Sequence, residues 1–273
     1  MGNCLVTKLK GSVDAFLPKL GQYSVNILKD TETSNHARVL VRTTGGSINL
    51  EFEANPSNGI TFERESNNLY KFVHSDDYEG TVHFGNYYND VYEVGVVGAS
   101  SSDLLNAQSV CHASIDITRL TKYAKMLGLL NISTYSEVTG KLYPNESLIT
   151  VAIGSVISKQ VRDVECNIDE WTNTTKLTLF SIKNNTKATG NIVSLAKNIG
   201  MTTLDVYGCT NVIGDVNDLA QAMISAGRTS GTMNVLCIGA KITINGTPAN
   251  EYVTSGDRVA VTFSGGTYSI SKN

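Results

Sequence analysis

The sequence predicts an α+β chain: an N-terminal antiparallel β domain, then a short α/β solenoid closed by a C-terminal β cap. Three observations carry that prediction. A phrase recurs in the second half of the chain, with glycines at 140, 190 and 214, so the steps are 50 and 24 residues. Upstream of it, residues 22–97 alternate apolar and polar side chains between turn signals. Downstream, short alternating runs separated by glycines extend from 234 to 270.

Residues 1–12 alternate, with Cys4, Val6 and Leu9 set between polar positions, and read as an extended arm or a first strand. Leu17-Pro18-Lys19-Leu20-Gly21 breaks any regular element, which assigns residues 1–20 to the arm. Residues 21–98 then hold a series of short strands: Tyr23/Val25/Ile27, Val39/Val41, Ile48/Leu50/Phe52, Ile60/Phe62, Tyr70/Phe72, Val82/Phe84 and Val91 to Val97. Thr44-Gly45-Gly46-Ser47, Asn55-Pro56-Ser57-Asn58-Gly59 and Glu79-Gly80 supply turns between them. Such a series predicts a small sandwich or barrel. Gly98-Ala99-Ser100-Ser101-Ser102 reads as a linker.

The recurring phrase comes next. Leu130-Asn131-Ile132 leads to Val138-Thr139-Gly140-Lys141-Leu142, and Phe180-Ser181-Ile182 leads to Ala188-Thr189-Gly190-Asn191-Ile192. Leu204-Asp205-Val206 leads in the same way to Val212-Ile213-Gly214-Asp215-Val216. A period in the twenties with this grammar signals a solenoid of the leucine-rich-repeat kind. Leu204 and Val206 are two apart and face inward, so Asn131, Ser181, Lys183, Asp205 and Tyr207 face outward and are the candidate contact residues. The glycine suits a reversing turn, because glycine takes positive φ without penalty. Val216 to Met223 then places apolar side chains at helical spacing behind Asp215, a candidate cap. One strand and one helix or half-helix per turn is expected.

The same rear segment recurs at Ile168-Asp169-Glu170-Trp171 and Ile117-Thr118-Arg119-Leu120, which starts the solenoid near residue 115. Residues 147–166 break the period, for the glycine expected near 165 is missing. That run holds either one degenerate strand (Ile149, Val151, Ile153) or an insertion. Ser225 to Gly231 forms another break, Asn234–Ile238 reads as the last solenoid strand, and residues 239–273 read as a hairpin-rich cap. Solenoids need such caps over their terminal apolar faces.

Composition narrows the function. Charged residues make up 17 % of the chain, against roughly 25 % in an average soluble domain, and the formal net charge is −3. No Lys/Arg cluster offers a phosphate track, so no nucleic-acid partner is expected. No apolar run is long enough to span a bilayer, and the N-terminus lacks the hydrophobic stretch of a secretion signal. Val6 stands where a myristoylation signal needs Ser or Thr. The five cysteines, Cys4, Cys111, Cys166, Cys209 and Cys237, are scattered and odd in number, which suits thiols kept reduced in a cytosol. Cys209 follows a repeat strand, where an inward structural role is expected.

Catalytic patterns are missing. His74 and His83 flank an acidic turn, Ser75 to Gly80, but no metal-binding histidine spacing accompanies them; an exposed hairpin explains them. Gly95-Val96-Val97-Gly98 fits no phosphate-loop motif, and no nucleophile elbow is present. The pairs Glu51/Glu53 and Glu63/Glu65 lie two apart, on one face of a strand, whereas glycosidase carboxylates oppose each other across a cleft. Tyr78, Tyr87, Tyr88 and Tyr92 gather in one β region and suit either a contact surface or the core. No enzyme activity, cofactor or metal is expected.

Asn3-Cys4-Leu5-Val6-Thr7-Lys8-Leu9-Lys10-Gly11, followed by Leu17-Pro18-Lys19-Leu20-Gly21, resembles the start of virion proteins of crAss-like and related phages of gut bacteria. Val138-Thr139-Gly140 and Gly190-Asn191-Ile192-Val193-Ser194-Leu195-Ala196 are similar to the C-terminal repeats of those proteins, a phrase shared with many bacterial surface proteins. The repeats here run one residue longer between strand and glycine than that pattern. The resemblance implies a non-enzymatic virion protein: a head fibre, decoration or tail-associated component made in the host cytoplasm. Asn3, Leu5, Thr7, Lys8 and Lys10 would then dock on other virion proteins of capsid or tail. The repeats would project, in a homo-oligomer, toward a host surface glycan or protein, each copy binding weakly and the array strongly. The competing expectation is a bacterial cell-surface adhesin with the same solenoid, which the missing export signal counts against.

Overall fold

The computed structural model describes strand backbones between residues 24 and 98, and the chain over residues 113–123, 127–132, 137–153, 163–254 and 257–273. The first seven strands are β1 (Ser24–Ile27), β2 (Ala37–Thr43), β3 (Glu53–Asn55), β4 (Ile60–Ser66), β5 (Leu69–His74), β6 (Gly80–His83) and β7 (Val91–Gly98). They follow the apolar alternation of the sequence; the run Ile48/Leu50/Phe52 lies outside the described residues. Every pairing among these seven is antiparallel: β1 with β6, β3 with β6, β2 with β5 and β7, and β4 with β5.

The second half starts with β8 (Ala113–Asp116) and a helix, Thr118–Tyr123, and continues with β9 (Leu129–Ile132), β10 (Glu137–Lys141), β11 (Thr150–Ile153) and β12 (Asp163–Asn167). A 3-10 helix, Ile168–Trp171, precedes β13 (Leu179–Ser181) and β14 (Ala188–Asn191); another, Ile192–Leu195, precedes β15 (Thr203–Asp205) and β16 (Asn211–Asp215). The helix Val216–Ser225 leads to β17 (Ser230–Leu236), β18 (Lys241–Ile244) and β19 (Thr247–Pro248). A one-turn helix, Ala249–Tyr252, separates these from β20 (Val259–Ser264) and β21 (Thr267–Lys272).

The strands assemble into two mixed sheets, a mainly β architecture with few and short helices. Among the described residues one sheet has 10 strands in the order β19-β18-β16-β14-β12-β10-β8-β1-β6-β3, and the other has 11 in the order β21-β20-β17-β15-β13-β11-β9-β7-β2-β5-β4. From β7 to β18 the chain alternates between the sheets. Strands β8, β10, β12, β14, β16 and β18 run parallel in the first, and β7, β9, β11, β13, β15 and β17 run parallel in the second.

The unit expected from sequence, one strand and one helix or half-helix per turn, keeps its short helix after β12, β14 and β16 but is corrected to two strands in place of one. The glycine segment is itself a strand: in β14, Ala188 is buried, Thr189 is exposed, and the backbone pairs laterally with Asn211–Ile213 of β16. The glycine stands at the strand's end, where Gly190 takes φ +97° and turns the chain into the 3-10 helix. Within residues 147–166 the structure describes 147–153 and 163–166. Thr150–Ile153 pairs in parallel with both β9 and β13, so the degenerate strand is present and fills its place in the ladder. Val164 of β12 stands opposite Gly140, near the place where a glycine was expected. Lys241–Ile244 pairs in parallel with β16, so the ladder runs past residue 239 into the stretch read as cap.

Stacked side chains fill the space between the sheets. Leu130, Val151, Phe180, Leu204 and Val235 are successive partners across the second sheet, and all are buried. Val138, Val164, Cys166, Ala188 and Val212 line the first, and Ile168, Ile192 and Val216 lie behind them. Burying each large aliphatic side chain contributes roughly 1.5–3 kcal/mol. The lone tryptophan, Trp171, is buried with its ring edge-on to Phe180, centroids 4.9 Å apart.

Candidate functional site

The outward positions of β13 and β15 are brought together by parallel pairing, which sets Ser181 opposite Asp205. The Ser181 hydroxyl donates to Asp205 Oδ2 at 3.4 Å, and the Tyr207 amide donates to Asp205 Oδ1 at 3.1 Å. Lys183 Nζ lies 4.7 Å from the centroid of the Tyr207 ring. Four of the candidate contact residues thus form one cluster, but not as an open surface. Lys183 is only 5 % exposed and Asp205 9 %, while Ser181 and Tyr207 are half-buried. The reason is lateral stacking: neighbouring parallel strands lie about 4.8 Å apart, so Asp205 folds onto the adjacent strand and the apolar stem of Lys183 is covered. Burial raises the Asp205 carboxyl above its ordinary range, opposed by the Tyr207 amide, Lys183, Ser181 and Arg258.

Asn131 lies on β9, opposite Gly95 and Ala152. Asn3, Leu5, Thr7, Lys8 and Lys10 lie outside the described residues. The hairpin imagined around His74 and His83 is corrected: His74 ends β5 in the 11-stranded sheet, and His83 ends β6 in the 10-stranded one. Glu63 and Glu65 lie on the edge strand β4. Among the described residues no group of three His, Cys, Asp or Glu side chains is placed to hold a metal ion, and no helix is long and apolar enough to cross a membrane.

Polar side chains inside the ladder recur at the repeat spacing, and sequence reading missed most of them. Asn167, Asn191 and Asp215 stand 24 residues apart and cap successive helices, accepting from Asp169 N at 3.1 Å, Val193 N at 2.9 Å and Asn217 N at 2.7 Å. Asp169 Oδ1 also accepts from the Asn191 amide at 2.9 Å and from Ser194 Oγ at 3.2 Å, which ties one turn to the next. Asn198, fully buried, accepts from Leu177 N and donates to Thr174 Oγ1 and Leu195 O, each at 3.0 Å. Thr174 holds the same place 24 residues earlier and donates to Trp171 O at 2.8 Å. The recurrence of cap-type residues at 24 was a signal available in the sequence; the inward aim of Asn198 was not.

The cysteines belong to the same pattern. Asn185 brackets Val164, its Nδ2 donating to the carbonyl at 2.6 Å. Cys209, 24 residues on, donates its thiol to Ile182 O at 3.1 Å. Both are buried, as is Cys237. Burial pushes the Cys209 and Cys237 thiols up to about 12 and raises Cys166 as well. A thiol that stays protonated is neither nucleophile nor ready metal ligand, so these three act as small packing groups. The inward structural role expected of Cys209 is what its geometry provides.

No family model matches the chain, and neither the curated proteins nor the solved structures include a match to it.

Proposed function

We propose that this chain is a non-enzymatic structural and recognition protein of a phage particle, a head fibre, decoration or tail-associated component. Its ladder serves as a short leucine-rich-repeat-like solenoid, and its N-terminal arm, Asn3 to Lys10, docks on capsid or tail proteins. The observation that supports this best is the unbroken parallel stack, six strands deep in each sheet, tied turn to turn by Asn and Asp caps. Such a stack holds its surface at fixed spacing without needing a partner to order it. Preorganised surfaces keep more of their contact energy on binding, because little freedom is lost. Repeated across copies, even weak contacts with a host glycan or protein add to firm attachment.

The test compares the solution mass of the full chain with that of a chain lacking residues 1–12. A defined oligomer that shrinks on removing the arm supports an assembly role. Equal masses for both chains would remove the docking role from Asn3, Leu5, Thr7, Lys8 and Lys10.

A further inference from the structure

Sheet edges present unpaired backbone groups, and proteins blunt those they do not use. The two sheets end at β19, β3, β4 and β21. β19 is two residues long and contains Pro248, which has no amide hydrogen to give. β3 has three residues. β4 carries Glu63, Arg64 and Glu65, with a register shift between Arg64 and Ser66. β21 is the least protected: six residues, Thr-Tyr-Ser-Ile-Ser-Lys, with a single charge, Lys272, at its end, no proline, and unbroken pairing with β20.

The direction of its free groups follows from the hydrogen bonds. Arg258 and Asn273 exchange both backbone bonds, each 2.9 Å, so this pair is hydrogen-bonded. Antiparallel pairs alternate, so Ser271, Ser269 and Thr267 also turn their backbone groups toward β20. Tyr268, Ile270 and Lys272 therefore aim their N–H and C=O groups away from the sheet, at an edge that no other described strand covers.

We propose that β21 pairs antiparallel with β21 of a second copy of this chain, about a two-fold axis at Ile270. This register matches all three outward residues: Ile270 faces Ile270, and Tyr268 faces Lys272 of the second copy at both ends. An axis at Lys272 would set two ammonium groups opposite each other, which destabilises a sheet. An axis at Tyr268 would run Ile270 against the Gly266 turn. The facing side chains are already ordered. Asn217 Nδ2 donates to the Tyr268 hydroxyl at 3.2 Å, and Lys272 Nζ lies 5.1 Å from the Tyr252 ring centroid. The contact is isologous and closes on itself, so it yields a dimer and not a fibre. It involves no part of the N-terminal arm, so it stands or falls separately from the docking role proposed above.

The experiment measures the mass of the chain lacking residues 1–12 by light scattering at tens of micromolar, with three variants. Ile270→Pro removes an outward donor and places ring atoms where the second strand would lie. Ile270→Cys puts two thiols at the axis, with Cα atoms about 5.5 Å apart, inside disulfide range. Thr267→Cys puts them six residues apart, about 20 Å, far outside it. The expected result is a dimer that Ile270→Pro converts to a monomer with unchanged circular dichroism. Under mild oxidation, Ile270→Cys forms a reducible dimer above the wild-type background and Thr267→Cys does not. A monomeric parent, a dimer that survives Ile270→Pro, or equal cross-linking of the two cysteine variants overturns the proposal. If Ile270→Pro fails to fold, the two cysteine variants decide.

Discussion

Gly190→Ala tests whether the repeat glycine is required by the stacking of one turn on another. Gly190 has φ +97°, and a Cβ there would lie 2.7 Å from Asn167 Oδ1, 2.8 Å from Asp169 N and 2.8 Å from Ile168 N. Two of those three atoms are backbone and cannot swing aside. Holding a non-glycine residue at such a φ costs of order 1–3 kcal/mol. Displacing the Asn167 cap adds about 1 kcal/mol. The variant should lose about 2–4 kcal/mol, read as a fall in melting temperature of roughly 5–15 °C. Two other glycines separate the causes. Gly227 has φ +105° with nothing within 4 Å, so Gly227→Ala meets the backbone strain alone, about 1–2 kcal/mol. Gly200 has open space and no positive φ, so Gly200→Ala should be neutral or stabilising by a few tenths of a kcal/mol. Urea and thermal unfolding of all three, with the parent chain, give the order. The reasoning fails if Gly190→Ala is no more damaging than Gly227→Ala.

Two further predictions concern the buried polar groups. The Asp205 carboxyl is raised above 3.8 in the folded chain, so the fold binds its proton more tightly than the unfolded chain does. That share of stability is fully present below pH 3.8 and is lost as pH rises through the raised value. Asp205→Asn keeps the Oδ1 acceptor for Tyr207 and carries no charge, so its stability relative to wild type should improve between pH 3 and pH 7. Urea midpoints at a series of pH values check this, and a difference that stays constant with pH would refute it. The second prediction is chemical inertness of Cys166, Cys209 and Cys237, whose thiols burial holds protonated. In a chain with Cys4→Ser and Cys111→Ser, a thiol reagent at pH 8 should label nothing until urea unfolds the protein, and then three thiols. Fast labelling of the folded chain would contradict the packing role.

Much of the β content was legible in the sequence, because alternation over four to eight residues carries its own signature. The strands at 24–27, 37–43, 60–66, 69–74 and 91–98 fall on runs such as Val39/Val41 and Tyr70/Phe72. The ladder spacing was legible through glycine, whose positive φ no other residue replaces cheaply. The second strand of each unit was not. Its alternation lasts only from Ala188 to Gly190, and glycine disfavours strands in general, so the segment reads as a turn until its lateral partner is known. Partnership across sheets is likewise non-local, which is why His74 and His83 looked like one hairpin. The outward cluster was found by residue but misjudged in exposure: alternation gives the face of Lys183 and Asp205, not how closely the next strand crowds them. Asn198 reads as one more polar loop residue, and only its three hydrogen bonds reveal an inward aim.

The ends of the ladder explain where assembly contacts belong. A parallel neighbour can be added only by a full crossover through the other sheet, whereas an antiparallel strand closes locally through a tight turn. Both sheets change from parallel to antiparallel at both ends: β2 follows β7, β1 follows β8, β20 follows β17 and β19 follows β18. The parallel ladder is therefore flanked by antiparallel strands at each end in both sheets. At the C-terminal end the covering is thorough. Ala249, Val253 and Phe263 are buried, the Arg228 guanidinium lies 4.1 Å from the Phe263 ring centroid, and its Nη1 donates to Met201 O at 2.6 Å. With three of the four edges of the described sheets short, charged or interrupted by proline, β21 is the edge left for the pairing proposed above. The dimer proposed above would use that edge alone and would involve neither the N-terminal arm nor the outward cluster on β13 and β15.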